Sequence, residues 1–70
     1  MNLDLAHFNI ACNIQKHLTP DDANLFARAL RLDMPAVAEF AARAYDADTN
    51  EMLDAVEFIE AVYTLRSIPA

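Results

Sequence analysis

Not one glycine occurs in the 70 residues of this chain, and that absence narrows the accessible folds more than any motif in it. Glycine reaches positive φ without steric cost, which tight turns and phosphate-binding loops depend on. A chain without it lacks the Gly-rich loops of nucleotide-binding folds, glycine-dependent hairpin turns and the strained serine-bearing elbow of many hydrolases. Hydrophobic residues make up 56% of the sequence, far more than a disordered segment carries, so a core is expected. Its size suits a single domain over residues 1–70, near the lower limit for one self-sufficient core.

The remaining composition excludes further classes. Cys12 stands alone, so neither an intramolecular disulfide nor a cluster of cysteine ligands is available. No apolar run approaches the ~20 residues of a membrane span, and Met1–Ala6 has no basic region of the secretory type. A cytoplasmic protein with no membrane partner is the expectation. The net charge is −6, and it is uneven: residues 46–70 hold six acids against Arg66 alone. Direct nucleic-acid binding is therefore not expected, because that affinity comes from Lys and Arg neutralising phosphates. A cation or a basic protein surface suits the charge better.

Apolar spacing predicts four helices, at about 3–17, 20–32, 35–45 and 49–66, arranged as a small all-α domain of two antiparallel helix pairs. In the first, Leu3, Ala6, Ile10 and Ile14 share a face, flanked by His7, Ala11 and Leu18. Thr19-Pro20-Asp21-Asp22 combines a capping hydroxyl, a proline suited to the first helical position and two acids favoured by the helix dipole. The second helix should bury Ala23, Phe26, Ala29 and Leu30. Pro35 opens the third, which carries Val37, Phe40, Ala41, Ala44 and Tyr45 on one side. The fourth bears Met52, Val56, Ile59 and Tyr63, with Leu53 beside them. Two helices are apolar on a second side as well, through Leu5, Phe8 and Cys12 on the first and Phe58 and Leu65 on the fourth. Those residues belong either to the core or to a dimer or partner surface.

The stretch Asp46-Ala47-Asp48-Thr49-Asn50-Glu51-Met52-Leu53-Asp54-Ala55-Val56-Glu57-Phe58 resembles the twelve-residue calcium loop of the EF-hand superfamily. A calcium ion takes 6–8 oxygens, delivered from positions 1, 3, 5, 7, 9 and 12 of such a loop. The resemblance implies Asp46, Asp48, Asn50, the Met52 carbonyl, Asp54 and Glu57 as metal ligands, and calcium as the one possible cofactor. Glu51 departs from the family pattern, since it stands where a glycine makes the sharp turn. The same residues also fit a helix start, with Asp48-Thr49-Asn50-Glu51 as a capping box and the fourth helix beginning near Thr49. In the calcium loop that helix would begin only around Asp54 or Ala55.

Other constellations are weaker. Phe26–Val37 resembles a bacterial helix-turn-helix through Ala27, Leu30, Leu32 and Val37, but Arg31 holds the usual glycine position and Arg43 is nearly alone in offering base contacts. His7, Cys12 and His17 are five residues apart, a spacing that does not stack ligands on one helix face. No nucleophile–base pair or phosphate cradle is present, so an enzyme is not expected. Glu51, Asp54, Glu57 and Glu60 recur every third residue as an acidic ridge, read first as a solvated face and otherwise as cation ligands, a surface for a basic partner or a mimic of a phosphate backbone. The leading expectation is a non-catalytic regulatory module that binds another macromolecule through Phe8, Asp54, Glu57, Phe58, Glu60 and Leu65, with a homodimer as a further expectation. An EF-hand-like calcium protein is the alternative, followed by a nucleic-acid mimic or a degenerate helix-turn-helix protein.

Overall fold

The computed structural model describes residues 5–31 and 33–67, and the side chains of 7–31 and 33–66. Four helices follow one another: α1 (Leu5–Gln15), α2 (Pro20–Leu30), α3 (Met34–Ala47) and α4 (Asn50–Ser67). They pack as a small all-α four-helix domain, and no strand occurs among the described residues. The most extensive contact joins α2 to α3, followed by α3 with α4; α1 rests chiefly on α4. His7 lies near Phe58 and Arg66, and His17 near Glu51 and Asp54, so α1 runs antiparallel to α4.

Local chemistry accounts for most of the helix ends. α1 winds tighter as it closes, with His17 donating to the Ile14 carbonyl at 3.0 Å and Leu18 to that of Gln15 at 3.2 Å. Thr19 caps α2 by accepting from the Asp22 amide at 3.2 Å, with Pro20 in the first turn. α3 begins at Met34 and runs two residues beyond the expected end, to Ala47. It stops at Asp48, which takes the left-handed conformation (φ 54°, ψ 39°) and donates its N–H to the Ala44 carbonyl at 2.9 Å. Thr49 then caps α4, its hydroxyl accepting from the Met52 amide at 3.2 Å. The cap is thus one residue later than the expected Asp48–Glu51 box, and Met52 stands where a reciprocal glutamate would be.

Asp48 performs the helix-terminating role that glycine usually fills, at a steric cost of about 1–2 kcal/mol for a residue with a Cβ. Asp48→Gly should therefore raise stability by about 1 kcal/mol, and Thr49→Ala should lower it by about the same amount. Urea unfolding followed by far-ultraviolet circular dichroism measures both. Opposite signs are expected at these adjacent positions.

The core is built from Leu25, Phe26 and Ala29 of α2, Ala36, Phe40 and Ala44 of α3, and Met52, Ala55, Val56, Ile59 and Val62 of α4. An aromatic chain threads all four helices: His7–Phe58 at 6.3 Å between centroids, Phe58–Phe26 at 6.2 Å and Phe26–Phe40 at 5.7 Å, all tilted. These separations are within the range of favourable ring pairing. Several expected core positions prove exposed. Ile10 is 47% exposed, Tyr45 65% and Tyr63 42%, while Ala23, Leu30, Val37 and Ala41 are half-buried. On α1 the inward side is Ala11 and Ile14, continued by Leu18, so the expected stripe through Ile10 is rotated. Leu3 and Leu32 lie outside the described residues, as do the side chains of Leu5 and Ala6. No described helix is long and apolar enough to cross a membrane.

Candidate functional site

Helix geometry decides what becomes of the acidic row on α4. Residues three apart advance by about 300°, so each member of the row is rotated about 60° from the last. The four acids therefore wind around α4 rather than forming one ridge. Glu51 and Asp54 border a recess of about 160 Å³ shared with Asn13, Ile14 and His17 of α1. Glu60 borders a different groove, toward α3, with Val37, Ile59, Tyr63 and Thr64. Glu57 points between them, away from the core. Asp54 and Glu60 are about 120° apart around the helix axis.

All four acids are exposed and none forms an ion pair among the described residues. Three of the five basic residues are engaged elsewhere. Arg28 reaches Asp33 at 3.2 Å, and Arg43 bridges Asp22 of α2 at 3.0 Å and Glu39 of its own helix at 3.1 Å. The hydrogen bond to Asp22 is the main reason the Arg43 guanidinium is held above its ordinary pKa; partial desolvation opposes it. Arg66 crosses from α4 to the end of α2, where it donates to the Leu30 carbonyl at 2.9 Å. That carbonyl belongs to the last turn of α2 and has no intrahelical partner, so a cation there satisfies both the acceptor and the helix dipole.

The apolar members of the expected surface fall on the α1 side of α4. Phe8 is 62% exposed, whereas Phe58 is half-buried against the core and Leu65 is half-buried. Phe8 and Phe58 share a groove of about 230 Å³ with His7, Ala11, Leu30, Val62 and Arg66. Of the six residues expected to bind a partner, Phe8 and Phe58 are thus brought together, Asp54 and Leu65 lie toward the same flank of α4, and Glu60 faces away. Leu30, Val62 and Arg66 were not among the expected contact residues. The one signal for Arg66 was its being the sole cation of residues 46–70.

The six expected calcium ligands are not gathered around one point. Helix α3 continues through Asp46, only Asp48 and Thr49 separate it from α4, and α4 begins at Asn50, four residues before Asp54. Asn50 and Glu57 are therefore about 10 Å apart along one helix axis, whereas calcium ligands must each stand about 2.5 Å from a single ion. No group of three or more His, Cys, Asp or Glu side chains among the described residues is placed to hold a metal. His7 lies in the first turn of α1 and His17 two residues beyond its end at Gln15, with about 12 Å of helix between His7 and that end. In the segment resembling a helix-turn-helix, Ala27, Leu30 and Val37 are half-buried as a tight helix–helix joint requires. Neither a protein-family model nor any curated protein or solved structure matches this chain.

Proposed function

We propose that the chain is a small, acidic, non-catalytic interaction module acting in the cytoplasm, where it binds another protein and modulates it. The contact is the outer side of α4, from Asp54 through Glu57 to Glu60, offered to a basic or mixed apolar surface. One observation carries this reading: those carboxylates are exposed and lack counter-ions among the described residues, while Arg28, Arg43 and Arg66 are tied elsewhere. Unpaired charge on one helix raises the rate and selectivity of meeting an oppositely charged surface. The winding of the acids disfavours phosphate-backbone mimicry, which needs charges in a line.

Affinity capture at low salt with the wild-type chain and with Glu57→Lys/Glu60→Lys tests the reading. Both positions are exposed, so the variant should keep its helical circular dichroism. A discrete basic protein should be retained by the wild type, released as salt rises, and held at least about tenfold more weakly by the variant. Retention of the same proteins by both chains would remove α4 from the interaction.

A further inference from the structure

We propose that the partner of the acidic side of α4 is a basic amphipathic helix whose apolar face lies in the trough between α3 and α4. The inference rests on the reading of α4 given above and specifies what that surface takes. Val37 of α3 and Ile59 of α4 line a groove of about 440 Å³, completed by Glu60, Tyr63 and Thr64. Ile59 is buried, Val37 is half-buried and Tyr63 is 42% exposed, so the trough is apolar and open to solvent.

The groove continues along α3. That helix has a flank on either side of its buried stripe of Ala36, Phe40 and Ala44. Arg43 lies on one flank, where it meets Asp22 of α2. Val37 is about 120° away around the axis, on the flank toward α4. Met34, Ala41 and Tyr45 follow Val37 at spacings of three and four residues, all four within about 80° of arc. Met34 is 49% exposed and Tyr45 65%. The apolar row is thus about 16 Å long, three turns of helix. That length suits the anchors at i, i+3 or i+4, and i+7 by which an amphipathic helix occupies a trough.

Charge selects the occupant. On the α4 edge stand Glu60 and, about 60° further out, Glu57. Both are exposed, and neither has an ion pair among the described residues. The α3 edge is uncharged there, with Ala38 and Ala42 as the exposed residues beside the row. An incoming helix therefore meets carboxylates along one side only, and its Lys or Arg residues belong on that side of its apolar stripe. Such rim charges set orientation and rate of encounter, while the apolar contact holds the complex. A second copy of this chain brings the same −6, so charge opposes it here.

The test is titration with a synthetic helical peptide of about 14 residues, with leucine at i, i+4, i+7 and i+11 and lysine along one flank. Fluorescence anisotropy should give a Kd of about 10–100 μM, rising with salt. Amide NMR shifts should be confined to residues 34–45 and 53–64. Exchanging the peptide's lysines for glutamate, or its leucines for serine, should each weaken binding at least about tenfold. Met34→Ser/Tyr45→Ser should weaken it as much with helical circular dichroism retained, since both side chains are largely exposed. Glu57→Lys/Glu60→Lys should do likewise. Loss in the glutamate variant alone would overturn docking in the trough and leave the acidic surface of α4 standing. Full affinity in both variants would overturn both readings. Shifts elsewhere in the chain, or a trough already covered by a second copy or by another segment of the chain, would overturn the docking.

Discussion

Phe26→Ala should abolish cooperative folding, or lower the melting temperature by at least about 15 °C. Phe26 is fully buried and lies at the middle of the aromatic chain, 5.7 Å from the Phe40 ring and 6.2 Å from Phe58. Truncating such a ring costs about 3–5 kcal/mol, through lost transfer energy and the cavity left behind. Seventy residues imply a total stability of only about 3.5–10 kcal/mol, so one substitution removes a large share of it. The loss also propagates, because Phe26 joins α2 to α3 through Phe40 and to α4 through Phe58. Thermal unfolding followed at 222 nm is the measurement, with Phe8→Ala as the comparison. Phe8 is mostly exposed, and its replacement should change stability by no more than about 0.5 kcal/mol. Equal effects at the two positions would contradict the burial on which the core description rests.

The second large effect should come from adding atoms. Ala44→Leu should destabilise the domain by about 1–3 kcal/mol or more. Ala29, Ala36, Ala44 and Ala55 are all at or below 1% exposure. Small side chains there let the helices approach closely, and a core packed to crystal-like density has no room for three further carbons. Ala42→Leu, on the exposed side of the same helix, should change stability by no more than about 0.5 kcal/mol. Urea midpoints for the pair distinguish overpacking from an altered helix propensity, which both substitutions share. Equal midpoints would show that Ala44 is not at a close contact.

The alanines also show where reading along the chain falls short. Ala29 and Ala44 were expected inside, but Ala36 and Ala55 were not, although both are buried. Alanine suits either face of a helix, so its burial depends on a neighbour's approach rather than on its own chemistry. The buried side of α1 differs from the expected stripe for a related reason. With apolar residues on most of its circumference, spacing admits more than one buried stripe, and contact with α4 selects the one through Ala11 and Ile14 rather than Ile10. Tyr45 and Tyr63 matched the helical period of their stripes yet remain largely exposed. The helices they sit on have neighbours elsewhere.

The candidate surface divides in the same way. That residues 46–66 carry uncompensated acid was legible from charge counting, and those acids have no ion pair among the described residues. Their division between two flanks of α4 was not legible, because it depends on where α1 and α3 lie against that helix. Arg66 was read only as a charge; its contact with the Leu30 carbonyl joins residues 36 positions apart, which local pattern cannot anticipate.

Local chemistry along the chain was enough for the all-α class, the four helices, the stop at Thr19-Pro20 and a helix start close to Asn50. Caps, proline geometry and apolar period act within a turn or two, so neighbouring residues are sufficient to specify them. Packing alone decided which side of α1 is buried, which alanines form the close contacts, and which acids share a flank. Those outcomes are set by the approach of segments distant in sequence, and the same approach leaves Phe8 exposed beside its groove.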